Sequence, residues 1–348
     1  TGQNGGNRKL NLIIIGSYLN VPCVIDIVER EKRDFKILST EDSLLDLFAE
    51  LYGREKVYKI PHVFQNFGNL KVLLSDFFRS FQHKKKLIKE IGSFQPKNLF
   101  FFFLGWNGLA SWVIKEFSLI CNIYYRPKVN VDLLQTDKSC RMQIKTAIAS
   151  AVCGTRLRSG KYYGYSLIAV DKRFLEKARA REYLHEIDHR NIKKFLSKRF
   201  DNLQKIKVMI LNGGMYNVEK DEYVRIMKLV SIVLFKKYKA FEICIKDHPH
   251  FPVLELEPFD ECFKVPIHFP ASLLCYHCDV VVGYSSATLF EAANLGKKPI
   301  SLVKFIPTTK PSQVKEVIDY LEDHVETGVI EYPADASGFA RVLERKRT

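Results

Sequence analysis

The sequence predicts an α/β protein made of two Rossmann-like halves. Three observations predict it: short apolar runs such as "LNLIII" and "VMILN", helical stretches between them, and a restart of that alternation after a charged interval near the middle of the chain. The length agrees, since 348 residues exceed one small core and, at roughly 150 residues per domain, give about two. Two halves of this kind predict a cleft between the carboxyl ends of their sheets.

The first half spans 8–165. "LNLIIIG" reads as a strand buried on both faces, and "EDSLLDLFAELYG" has helical spacing and stops at Gly53. "KVYKI", ended by Pro61, reads as the second strand. "LKVLLSDFFRSFQHKKKLIKEIGSF" is a long amphipathic helix. "NLFFFFLG" is the next strand and turns through a Gly-Trp-Asn-Gly corner into the helix "LASWVIKEF". "LICNIYYRP" follows as a strand stopped by Pro127. The polar opening "TGQNGGNRKL" has no apolar core of the signal-peptide kind and stays outside the fold argument.

A charged helical connector, 166–204, carries "KRFLEKARAREYLHEIDHRNIKKFLSKRF". The second half, 205–335, repeats the pattern: strand "KIKVMILNGG", helix "DEYVRIMKLVSIVLFKKY", strands "FEICIKD" and "CDVVVGY", helix "ATLFEAANLG", and "KPISLV".

Composition bounds the function. The net charge is +15, with basic clusters at "HKKKLIKE", at "HRNIKKFLSKR" and in the closing "RVLERKRT". Such an excess favours anionic partners, namely nucleic acid, phosphorylated ligands or an anionic membrane face. No nucleic-acid partner is expected, because no RNA-recognition signature with interleaved aromatics occurs. No apolar run reaches the roughly 18 residues of a membrane span. The eight cysteines, at 23, 121, 140, 153, 244, 262, 275 and 278, are scattered through apolar runs, the usage expected of a reducing cytosol. Cys275 and Cys278 enclose His277 at C-x-x-C spacing, but no second pair stands at zinc-ribbon distance, so no metal is expected.

Three corners of the second half sit at strand ends. The first is Asn212-Gly213-Gly214, where glycines let backbone N–H groups approach a phosphate. The second is "IKDHPH", in which His248, stiffened by Pro249 and preceded by Lys246, can hydrogen-bond a phosphate or protonate a leaving oxygen. The third is "GYSSATLFEA": Ser285 and Ser286 precede a helix, and Glu291 lies inside it. Helix capping explains one serine, and a phosphate seat explains both.

These corners, in this order, resemble the carboxyl-terminal half of GT-B nucleotide-sugar enzymes. His248-Pro249 followed by Ser285-Ser286 resembles the HP and SS motifs of bacterial sialyltransferases and polysialyltransferases and of the related Kdo transferases. The resemblance covers about 207–303 and implies a GT-B-like fold. It also implies an inverting glycosyltransferase that moves a sialic acid, a related nonulosonic acid or Kdo from a CMP-activated donor to a surface glycan of the capsule or lipooligosaccharide kind. It makes His248 catalytic and gives Asn212, Gly213, Gly214, Lys246, Pro249, Ser285, Ser286 and Glu291 to the donor nucleotide and its phosphate. The family's acidic triplet ending in Gly, which supplies its base, does not occur here. Asp132 in "YYRPKVNVDLLQTDKS" is the nearest carboxylate and the base expected, with Asp137 next.

With a monophosphate leaving group no divalent metal is obligatory, in keeping with the lack of a DxD-type pair, and no cofactor is expected. The expected acceptor is an anionic glycan or glycolipid, and the expected place is the cytoplasm, with contact at the inner face of an anionic membrane. Three other readings are open: a UDP-HexNAc 2-epimerase-like enzyme, a UDP-sugar-dependent GT-B enzyme, and a basic membrane- or RNA-binding module without enzyme activity.

Overall fold

A computed structural model describes residues 10–16, 18–61, 70–91, 96–102, 113, 122–125, 161–162, 188–213, 217–248, 255–323 and 325–345. The chain divides into two compact units, Thr1–Ile187 and Asp188–Thr348.

In the first unit the strands are β1 (Leu10–Ile15), β2 (Phe35–Ser39), β3 (Val57–Lys59), β4 (Pro96–Phe102), β5 (Asn122–Tyr125) and β6 (Lys161–Tyr162). The helices are α1 (Val21–Glu31), α2 (Asp42–Tyr52) and α3 (Leu70–Ile91). The strands form one sheet in the order β3-β2-β1-β4-β5-β6, every pair parallel. This is the Rossmann order, with its switch point between β1 and β4. The central β1 is buried along its whole length, the burial its unbroken apolar run requires. Inside β1, Asn11 is satisfied by Glu31 Oε2 at 2.8 Å and by the Asn98 amide at 2.9 Å. Gly53 ends α2 at φ +99°, a conformation that removes the Cβ penalty only for glycine.

The second unit has strands β7 (Val208–Asn212), β8 (Ile243–Asp247), β9 (Phe263–Lys264), β10 (Val280–Gly283) and β11 (Lys298–Ser301). Its helices are α4 (His189–Arg199), α5 (Lys220–Phe235), α6 (Ala271–Leu274), α7 (Thr288–Asn294), α8 (Gln313–Glu322) and α9 (Ala336–Glu344). The sheet order is β11-β10-β7-β8-β9, again parallel throughout. The first strand, β7, therefore has β8 on one side and β10 on the other, and the chain reverses its winding between β7 and β10. Val208, Ile210, Ile243, Ile245, Val280, Val282 and Ile300 of the strands meet Ile226, Met227, Val230 and Leu234 of α5 and Phe339 of α9 in one apolar core.

Both units thus have the parallel α/β architecture that the alternation predicts. Several details differ from the reading. The first half holds a helix and a strand that it passed over, α1 and β2, so "KVYKI" forms the third strand. The expected connector 166–204 is divided at 187: α4 belongs to the second unit, where His189 Nδ1 lies 3.2 Å from the Tyr276 hydroxyl. The second unit also runs past 335, because Phe339, Val342 and Leu343 of α9 are buried in its core. The helix expected at "LASWVIKEF" lies almost wholly outside the described residues.

Candidate functional site

Register decides which side chains share a level at the carboxyl edge of the second sheet. β7 pairs with β8 so that Asn212 faces Asp247, and the His248 N–H donates to the Asn212 carbonyl at 2.9 Å. On the other side β10 pairs with β7 through Val282 and Ile210. β10 ends at Gly283, and the chain then bends through Tyr284 and Ser285. Three neighbouring parallel strands therefore end on one edge, with Gly213 and His248 one residue past β7 and β8 and Ser285 two residues past β10. With strands about 4.8 Å apart, the ends of β8 and β10 stand about 10 Å from each other with β7 between them. The sequence reading brought these residues together as three separate corners, and the topology puts them on one edge.

Each corner has a local cause. Gly213 has φ +126°, a region that L side chains rarely adopt, so the glycine is a conformational need of the turn after β7. Gly283 lies against Leu211: a Cβ there would stand 3.0 Å from Leu211 Cδ1, so β10 meets β7 with no room for a side chain. After it, Ser285 and Ser286 form the turn into α7. Ser286 Oγ accepts the Thr288 N–H at 3.3 Å, so this hydroxyl, one residue before the N-cap Ala287, holds the first N–H of α7 without being a side-chain cap. The Cys275 thiol, 4.0 Å from the Thr288 carbonyl, fastens α6 to the same turn.

Asn212 is 4 % exposed. Its amide donates to Asp247 Oδ1 at 2.6 Å, and its amide oxygen accepts the Tyr223 hydroxyl at 3.1 Å. The side chain named as a nucleotide ligand is thus a bridge joining β7, β8 and α5. Burial pushes the Tyr223 hydroxyl well above its ordinary range and the Asp247 carboxylate adds to this, so it remains a donor to Asn212. Lys246 is 5 % exposed, and burial brings its ammonium down to about 8 against the opposing pull of Asp247. Glu291 is buried within α7. Gly214, Pro249, Asp132 and Asp137 lie outside the described residues.

Sequence reasoning missed a second layer of support. The Tyr284 carbonyl accepts the Ser301 hydroxyl at 2.7 Å, tying the end of β10 to the end of β11. The Tyr284 hydroxyl accepts the Gln313 amide at 3.2 Å, and Gln313 Oε1 accepts the Asn217 amide at 2.7 Å. Asn217 has φ +55°, and its carbonyl takes the Thr309 N–H at 2.8 Å. The loop after β7 is therefore joined to the segment before α8. The tyrosine in "GYSS" was the visible signal, but its partners lie too far along the chain for spacing to show them.

These two Rossmann-like units in one chain are a GT-B-like fold, and solved structures share it. The UDP-GlcNAc 2-epimerase from Methanocaldococcus jannaschii superposes with a TM-score of 0.53 at 15 % identity, over 97 % of this chain and 94 % of its own. The glycotransferase of kitacinnamycin superposes with a TM-score of 0.50 at 11 % identity, over 96 % of this chain and 90 % of its own. At these identities the likeness is one of fold. No protein-family model matches the chain, and no curated protein matches it in sequence.

Proposed function

We propose that the chain is a nucleotide-sugar glycosyltransferase whose second unit holds the donor phosphate at the ends of β7, β8 and β10. The observation that carries this reading is that Gly213, His248 and Ser285 follow closely on the carboxyl ends of the adjacent strands β7, β8 and β10, beside the topological switch point where open α/β sheets bind ligands. The HP and SS resemblance favours a CMP-activated donor carrying a sialic acid, a related nonulosonic acid or Kdo, and transfer with inversion.

In this reaction a carboxylate takes the proton of the acceptor hydroxyl. The acceptor oxygen forms a bond to the anomeric carbon as the bond to the phosphate oxygen breaks, and the electron pair leaves with CMP. His248 and Ser285 meet that charge with N–H and O–H donors placed before the reaction begins. Asp132 is the base proposed, on sequence order alone. The comparison that tests the class is turnover with CMP-sialic acid and CMP-Kdo against UDP-GlcNAc. Transfer from a CMP-sugar supports the reading, and conversion of UDP-GlcNAc alone replaces it. That second reading, a UDP-sugar enzyme of the epimerase or transferase kind, is favoured by the fold shared with the archaeal UDP-GlcNAc 2-epimerase.

The serines separate by role. Ser286→Ala removes an acceptor for the first N–H of α7 and is expected to cost about 1 kcal/mol of stability, the net worth of one hydrogen bond, read from thermal unfolding. Ser285→Ala is expected to weaken CMP binding, and the double variant to weaken it more than either single. Unchanged affinity in the double variant would leave both serines as turn residues.

The acceptor proposed is an anionic glycan or glycolipid reached at a membrane surface. No helix among the described residues is long and apolar enough to cross a membrane. α3 instead exposes Phe78 at 67 % and Phe81 at 48 %, alongside the exposed Arg79, Lys85, Lys86 and Lys89. Apolar rings beside lysines suit an interfacial helix, at about 1 kcal/mol per basic residue near anionic lipid. Charge reversal of Lys84, Lys85 and Lys86 is expected to weaken binding to phosphatidylserine vesicles at least tenfold at low salt. Equal binding by the variant would make these lysines a solvated face.

A further inference from the structure

We infer that Lys246 is a positioning residue that fixes His248, and is not a phosphate ligand. The inference rests on the nucleotide reading of the site given above. It comes from one peptide unit, the bond between Asp247 and His248, which is held at both polar ends. Its N–H, that of His248, donates to the Asn212 carbonyl of β7 at 2.9 Å. Its carbonyl, that of Asp247, accepts from Lys246 Nζ at 2.5 Å.

The same ammonium reaches the Ile267 carbonyl at 3.2 Å, so the segment between β9 and α6 is drawn onto the end of β8. Lys246 and Asp247 are neighbours on a strand and point to opposite faces. On one face the Asp247 carboxylate holds the Asn212 amide at 2.6 Å, and on the other the Lys246 ammonium holds two carbonyls. The strand end is thereby gripped from both sides directly before the histidine. Pro249 follows in the sequence and restricts the His248 backbone from its far side.

Burial explains why such a lysine is a clamp. An ammonium removed from water must fill its donors, and this one spends two on backbone oxygens within the chain. Reorienting it toward a ligand would leave the Asp247 and Ile267 carbonyls without this donor in a water-poor setting. The effect on chemistry goes through His248, because a displacement of about 1 Å in a positioned group is enough to cost about a hundredfold in rate.

The test is a double-mutant cycle on nucleotide binding. CMP, or UDP where that nucleotide binds instead, is titrated calorimetrically into wild type, Lys246→Met, His248→Ala and the double variant. Positioning predicts that Lys246→Met weakens binding about tenfold in the wild-type background and less than twofold when His248 is already alanine. Lys246→Gln, neutral but still able to donate to a carbonyl, is expected to stay within about threefold of wild type. It keeps the comparison available should the methionine variant fail to fold.

Losses that multiply in the double variant, or a glutamine variant as weak as the methionine one, would overturn the inference and make the lysine charge a direct phosphate contact. A wild type that binds neither nucleotide would overturn the nucleotide reading of the site, and this inference with it.

Discussion

His248→Ala is expected to lower sugar transfer by about 10²–10⁴-fold while leaving the protein folded. The residue stands at the end of β8, partly exposed, and its backbone is anchored by the Asn212 carbonyl whatever its side chain, so its truncation opens no cavity in the apolar core. The loss is expected chiefly in kcat. An N–H donor aimed at the departing phosphate acts most where negative charge develops, and little of that charge change is present in the bound donor. The check is steady-state kinetics beside a thermal unfolding curve. Full turnover by a folded variant would remove His248 from the reaction.

Phe339→Ala is expected to be the most destabilising of the substitutions considered, at about 3–5 kcal/mol, the usual range for emptying a phenylalanine site in a core. Phe339 is 0 % exposed and meets strands and α5 in the core of the second unit. Its helix, α9, is also held by lysines from elsewhere in that unit: Lys237 Nζ donates to the Leu343 carbonyl at 2.7 Å and Lys298 Nζ to the Val342 carbonyl at 2.9 Å. These fill carbonyls that the last turn of a helix leaves without partners and set positive charge at its negative end. A fall of roughly 10 °C in melting temperature is the expected reading. A shift of less than about 2 °C would mean that α9 is peripheral to the second unit.

How far the sequence reached follows from what each feature depends on. Strands buried on both faces write themselves as unbroken apolar runs, so β1, β4, β7, β8 and β10 were legible. β2 was not, because "FKILS" is short, carries Lys36 and sits against the charged "EREKRD". α1 does carry a start signal, Asn20 ahead of Val21 and Pro22, that the reading passed over; the Asn20 amide donates to the Phe102 carbonyl at the end of β4 and makes no cap bond to its own helix. β9 has two residues, too few to show a period.

At the site, residue types at strand ends could be read, but the use made of them could not. Whether Lys246 reaches a phosphate or a carbonyl depends on strand parity and on where Ile267 is brought by β9. Whether Asn212 faces a ligand or Asp247 depends on the register between β7 and β8. Both are properties of pairing, and pairing is set by contacts far apart in the chain. The segment that follows β5 of the first unit, with Asp132 and Asp137 in it, lies outside the described residues, so the carboxylate base rests on sequence order.

The measurement that tests the central claim most directly is calorimetric titration of CMP into the full chain and into a variant carrying His248→Ala and Ser285→Ala together, with cytidine as the control. If the strand ends seat the donor phosphate, CMP binds the wild type at one site per chain, binds the variant at least tenfold more weakly, and loses its advantage over cytidine there. CMP binding of equal strength in both proteins, or none in the wild type where UDP binds, would contradict the account.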